Sequence, residues 1–252
     1  GDDENSLKAL KGVTGREIVT FGMNSSNDYY PENIRKNDLH QTVYTAMYKG
    51  NPLCEITLNV AGQHNIFNSL AAIAASRYVG ADIDSIQKGL EDFHGAGRRF
   101  EKLGTVNGIT VADDYAHHPT ELSVTLKTAM EAGYKRVWAV FQPFTFSRTA
   151  ILLDDFAKAL SIPDFVVLTD IMGSREKNTY NIFSRNLAEK IDGCIFFPQD
   201  ETAEYTDERK KQNFEDVCNY VCEHAQPGDL VITLGCGDVY KVAKMILKKL
   251  EA

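Results

Sequence analysis

A chain of 252 residues, 43% hydrophobic and 25% charged, has the composition of a globular protein of one large or two modest domains. Its formal net charge of −8 and lack of a basic stripe leave no electrostatic footprint for nucleic acid. Five scattered cysteines read as reduced thiols, and no apolar run nears the roughly 18 residues of a membrane span, so a soluble cytoplasmic protein is expected.

The opening residues, Gly1-Asp2-Asp3-Glu4-Asn5 and then Leu7-Lys8-Ala9-Leu10, read as a strand exit and a short helix, as though the chain began inside a domain. Alternating or β-branched runs predict strands over 17–21, 41–49 and 54–60. An alanine-rich segment predicts a buried helix over 65–78, and an amphipathic one predicts a helix over 84–93, capped by Asp82 or Asp84. His94-Gly95-Ala96-Gly97 punctuates the sequence, and the pattern changes. Strands are predicted at 109–112, 136–141, 164–169, 194–197 and 229–233. Helices alternate with them at 120–132, 149–161, 184–191, 213–224 and 239–251. That alternation predicts an α/β domain with a parallel sheet and helices on both faces. The domain boundary is placed after Arg98, giving domains 1–98 and 99–252.

The densest chemistry lies in Asp113-Asp114-Tyr115-Ala116-His117-His118-Pro119-Thr120-Glu121, between a predicted strand and helix. In open α/β sheets the carboxyl ends of strands are where ligands sit. Pro119 excludes helix at His118 and suits the first helical position, so the histidines should project from a fixed elbow. Phe141-Gln142-Pro143-Phe144-Thr145-Phe146-Ser147-Arg148-Thr149 follows the next strand, with Arg148 placed to clamp a carboxylate or phosphate. Gly235-Cys236-Gly237-Asp238 follows the last strand and Gly173-Ser174-Arg175-Glu176 the third, so four strand ends converge on unusual residues.

Two motifs precede them. Asn65 and Asn68, after Gly62-Gln63-His64, share a helix face, where paired amides suit a nucleobase edge; Asn65 could equally be a plain helix cap. Arg98 and Arg99 offer two guanidiniums for phosphate, or a solvated linker. Cys218 and Cys222 lie one helical turn apart, but no second ligand pair completes a zinc site. No G-x-x-x-x-G-K-[ST] phosphate loop occurs in these residues.

In order and spacing, His64-Asn65-x-x-Asn68, Arg98-Arg99-Phe100, the 113–121 string, Phe141-Gln142-Pro143 with Ser147-Arg148-Thr149, and Gly235-x-Gly237-Asp238 resemble the Mur ligases, most of all their alanine-adding branch. The resemblance implies the end of a central ATP-binding domain followed by a Rossmann-like C-terminal domain with a mostly parallel sheet. It implies ATP, UDP-N-acetylmuramate and L-alanine as substrates, joined through an acyl phosphate. Mg2+ ligands and the phosphate-loop lysine are expected outside these residues, so the 252 residues alone should lack ligase activity. By the same resemblance Asn65 and Asn68, with His64 beside them, would hold the adenine side of ATP. Arg99 would reach the nucleotide and Asp114 the ribose hydroxyls. Tyr115, His117 and Arg148 would line the meeting place of muramoyl carboxylate and alanine. One departure is Phe144, where the family usually has histidine after Phe-Gln-Pro, which removes a polar contact near the amino-acid pocket. Two other readings stand beside this one: the related ligase that recycles a tripeptide onto the same nucleotide sugar, and a non-catalytic nucleotide-binding module.

Overall fold

A computed structural model describes all residues except 40, 61 and 198–205. The chain forms two compact units, Gly1–Gly95 and Ala96–Ala252.

The first unit begins with a short helix α1 (Glu4–Ala9), capped by the Asp3 carboxylate on the Ser6 N–H. Three antiparallel strands follow, β1 (Tyr29–Lys36), β2 (Thr42–Tyr48) and β3 (Asn51–Leu58), in that spatial order. Lys49 and Gly50, both at positive φ, make the two-residue turn between β2 and β3 that suits a twisted hairpin. Helices α2 (His64–Tyr78) and α3 (Ile83–Glu91) complete the unit, and Asp82 caps α3. The core joins Tyr29, Tyr44 and Ile56 of the sheet to Ile66, Leu70 and Ile73 of α2.

Two expectations need correction here. Residues 17–21 form no strand; Phe21 makes one isolated bridge to Tyr29, and Thr20 is held by the Asp28 carboxylate. The strand lies instead at β1, whose Pro31 and left-handed Asn33 hide it from periodicity and suit only a sheet edge with a bulge. The alanine-rich helix α2 is not buried all round: one stripe of Ile66, Ser69, Leu70 and Ile73 faces the core, while Ala72 and Ala75 are exposed. Alanine is small enough to lie on either side of a helix, so its abundance does not mark a buried one.

The second unit is a six-stranded sheet, which contains β4 (Glu101–Val106), β5 (Ile109–Asp114), β6 (Val137–Phe141), β7 (Phe165–Leu168), β8 (Ile195–Phe196) and β9 (Leu230–Leu234). The spatial order is β4-β5-β9-β6-β7-β8, with β4 antiparallel and the remaining strands parallel. β5, β6 and β9 are buried along their whole length, as a sheet covered on both faces requires. Their residues alternate between two cores. Ala112, Ala139, Phe141, Ile232 and Leu234 face α4 (Pro119–Glu131), α6 (Leu153–Leu160) and α7 (Ser184–Ala188). Val111, Trp138, Val140 and Val231 face α8 (Asp207–His224) and α9 (Tyr240–Leu250).

The segment expected at 149–161 is two helices, α5 (Phe146–Ile151) and α6, broken at Leu152, which leaves helical geometry. β4 falls where no strand was expected; its Gly104 sits at a register shift opposite β5. No helix among the described residues is long and apolar enough to cross a membrane.

Candidate active site

Because β5, β9, β6 and β7 run parallel, the loops that leave them share one edge of the sheet. Backbone bonds tie this rim together: Gly235 N–H to Asp114 O (3.1 Å), Gln142 N–H to Leu234 O (3.0 Å) and Thr169 N–H to Phe141 O (3.1 Å). Four non-glycine residues on it, Arg98, Phe100, Thr145 and Ser174, hold positive φ between +48° and +66°. Such backbone persists only where the surroundings over-determine it, and it clusters at functional sites.

The two adjacent arginines have different fates. Arg98 turns inward: its Nε donates to Asp113 Oδ2 at 2.8 Å and its Nη2 to the Gly235 carbonyl at 2.6 Å. Asp113 is buried and also accepts from the Thr233 hydroxyl at 2.6 Å, so both of its carboxylate oxygens are hydrogen-bonded. Arg99 is exposed and lies 5.7 Å from the Tyr115 ring. Asp114 is buried. Its Oδ2 accepts from Phe100 N (2.7 Å), and its Oδ1 accepts from Ala116 N (2.8 Å) and the Thr125 hydroxyl (3.3 Å). Desolvation outweighs those bonds and raises its pKa above the ordinary carboxylate value. In this conformation Asp114 organises the loop from inside.

Beyond Asp114 the chain turns into α4, with Pro119 at its first turn. His118 is the N-cap, its Nδ1 accepting from Thr120 N at 3.3 Å, while Glu121 Oε2 accepts from the N–H groups of His117 (3.0 Å) and His118 (3.2 Å). This is a capping box with histidine in the place of serine. The His117 ring packs edge-on to Tyr115 with its Nδ1 3.0 Å from the Tyr115 carbonyl and 3.4 Å from Glu121 Oε2.

At the neighbouring strand end Gln142 is fully buried. Its Oε1 accepts from Val239 N at 3.2 Å, and its Nε2 has no partner. Gly237 makes room for that amide, since a Cβ there would stand 2.4 Å from Gln142 Oε1 and 2.6 Å from Met172 Sδ. Arg148 lies in the first turn of α5, and its buried Nη1 is likewise without a partner. Buried polar atoms are almost always paired, so these two donors on one rim call for acceptors that a bound water or a ligand can supply. Phe144 forms an isolated bridge to Met172 of the loop after β7. Asp238 is engaged by Lys210 (3.1 Å) and Lys241 (3.0 Å).

In the first unit Asn65 lies inside α2, whose N-cap is Gln63, and its Oδ1 accepts from Asn68 Nδ2 at 3.1 Å. His64 opens the same turn and is exposed. No group of three or more His, Cys, Asp or Glu side chains able to hold a metal occurs among the described residues. The five cysteines are free, and the Cys222 partner, then burial, push the Cys218 thiol well above its usual range.

Sequence reasoning missed the inward role of Arg98, the orphan amide of Gln142 and the part taken by Glu176. Glu176 Oε2 accepts from Ser147 N (2.9 Å) and its Oε1 from Ser147 Oγ (2.6 Å). Only the unusual residues after each strand signalled them in advance.

Comparison with known proteins matches residues 98–237 to the Mur ligase glutamate ligase domain and residues 1–76 to the Mur ligase middle domain. The UDP-N-acetylmuramate–L-alanine ligase of Acetivibrio thermocellus is 45% identical over 252 residues, covering 98% of this chain and 50% of that protein. The crystal structure of UDP-N-acetylmuramate-alanine ligase MurC from Thermotoga maritima aligns with a TM-score of 0.71 at 24% identity, over 92% of this chain and 48% of that one. MurF ligase from Thermotoga maritima in complex with ADP aligns with a TM-score of 0.71 at 15% identity, over 99% and 52%. At those identities the two structures speak to the fold alone. The chain spans about half the length of the curated relatives it matches.

Proposed function

Since this chain belongs to the Mur ligase family, we propose that it serves an ATP-dependent ligase joining L-alanine to UDP-N-acetylmuramate in peptidoglycan precursor synthesis. The observation that carries the reading is Arg148: a buried guanidinium N–H without a partner, on the strand-end rim of a chain 45% identical to a ligase of that name.

The reaction proceeds in two displacements. The substrate carboxylate attacks the γ-phosphate of ATP and ADP leaves; the alanine amine then attacks the acyl carbon and phosphate leaves. Both steps bring anions together, so fixed positive donors lower the barrier. On this reading Arg148, with the Gln142 amide near the same strand end, receives the carboxylate of the incoming amino acid by charge-assisted hydrogen bonds. His117 presents a ring nitrogen able to take a proton from the attacking amine. On the same reading Tyr115 would wall the site, and Arg99, exposed and 5.7 Å from the Tyr115 ring, would reach nucleotide phosphate. Asn65, Asn68 and His64 serve the adenine end in the first unit. For Asp114 the inward geometry favours shaping the loop over direct contact with the ribose. The magnesium that accompanies ATP would draw its ligands from outside these residues, as the resemblance to the family implies. Nucleotide and nucleotide-sugar substrates imply a cytoplasmic location.

Phosphate release by the full-length gene product tests this, with UDP-N-acetylmuramate and ATP present and the amino component varied. Release dependent on L-alanine is expected. Release dependent on a tripeptide would identify the recycling ligase, and nucleotide binding without turnover would identify a non-catalytic module.

A further inference from the structure

We propose that Glu176, reaching from the loop after β7, is the positioning residue that holds Arg148 on the rim. The inference rests on the reading that Arg148 takes the carboxylate of the amino-acid substrate.

Helix α5 has no cap of its own. Its N-cap residue Thr145 lies at φ +66° and makes no side-chain hydrogen bond. Glu176 fills that part from another strand end, one oxygen on the Ser147 N–H and the other on the Ser147 hydroxyl. Ser147 directly precedes Arg148, so this carboxylate fixes the backbone from which the guanidinium projects. Backbone bonds set the two loops in register beneath it: Thr145 N–H to Met172 O (3.0 Å) and Met172 N–H to Pro143 O (2.9 Å). Gly173 allows the closest approach, because a Cβ there would stand 2.3 Å from the Phe146 ring. The Ser147 bonds, aided by the nearby Arg148 charge, hold the Glu176 carboxyl below its ordinary pKa, so it stays an acceptor at neutral pH. No hydrogen bond or ion pair joins Glu176 to Arg148 itself. Glu176 thus orients the arginine without a direct hydrogen bond to it, which leaves Nη1 for a ligand.

The test uses the full-length gene product with E176A, E176Q and S147A. Removing charge-assisted bonds from the α5 start should raise KM for the amino acid about tenfold in E176A and leave KM for ATP within about twofold. E176Q keeps a carbonyl oxygen for Ser147 and should stay within about threefold of wild type, and S147A should fall between the two. An unchanged amino-acid KM in E176A, or equal rises in both KM values, overturns the inference. Should E176A not fold, S147A decides by the same criterion. A readout independent of catalysis is the NMR signal of the Arg148 Nε–H, which should be dispersed in wild type and collapse toward the exposed-arginine position in S147A and E176A. A signal that does not move overturns the inference. Wild-type turnover indifferent to L-alanine would instead sink the ligase reading and leave that signal to judge Glu176.

Discussion

His117 and His118 are neighbours in the chain and hold opposite tautomers. A backbone carbonyl only accepts, so the His117 Nδ1 beside Tyr115 O carries a proton, and in the neutral ring Nε2 keeps its lone pair. A backbone N–H only donates, so the His118 Nδ1 facing Thr120 N is bare. One histidine of the doublet caps a helix; the other directs its Nδ1 to a backbone carbonyl.

Substituting the pair one at a time should separate the roles. H118A removes an N-cap acceptor and should cost about 1 kcal/mol of stability in urea unfolding, with turnover little changed. H117A should leave stability within about 0.5 kcal/mol and, under the proposed function, lower kcat by about a hundredfold. Long-range nitrogen–proton NMR should show the two tautomers directly, and identical tautomers would refute the assignment.

The arginine doublet divides in the same way. R98A leaves the buried Asp113 carboxylate without its cation, and losing one partner of such a pair costs about 3 kcal/mol. R99A removes an exposed side chain and should shift stability by less than about 0.5 kcal/mol. Under the proposed function it should weaken ATP binding, read as a rise in KM for ATP. A destabilised R99A with an unaffected R98A would reverse this assignment.

Two buried carboxylates should pull the acid unfolding profile in opposite directions. Burial pushes Asp229 up, but hydrogen bonds from Arg136, the Gln226 N–H and the Trp138 indole outweigh it and hold the group below 3.8. Its contribution is therefore present above pH 3.8 and lost as pH falls through the lowered folded value. Asp114 is raised, chiefly by desolvation, so its contribution is present below pH 3.8 and lost as pH rises through the raised folded value. Stability measured against pH should fall less on acidification in D229N than in wild type, and more in D114N. Parallel profiles would refute both signs.

Gly237 is required by its neighbours. In G237A the new Cβ meets Gln142 Oε1 at 2.4 Å and Met172 Sδ at 2.6 Å, inside a fully packed turn. Overpacking of this kind costs about 1–3 kcal/mol, so thermal unfolding of G237A should begin several degrees lower. A crystal structure of G237A should show Gln142 displaced from Val239 N; an undisturbed Gln142 would mean the turn relaxes elsewhere.

The sequence by itself determined the α/β alternation, because buried parallel strands must be continuous apolar runs and their covering helices must show a 3.6-residue stripe. It also determined that polar and charged residues gather after the strands, and Pro119 announced where α4 begins. Other features were settled only by tertiary structure. Edge strands β1 and β4 carry Pro31 and Gly104, which interior strands avoid, so periodicity could not find them. Arg98 and Arg99 are chemically identical and adjacent; a left-handed φ of +58° at Arg98 goes with its inward turn to Asp113, while Arg99 stays exposed. Glu176 and Ser147 lie 29 residues apart and meet only because β6 and β7 are neighbours in the sheet. Local sequence sets which residues can form an element or a cap, but pairing between distant loops depends on strand order, which no local pattern encodes.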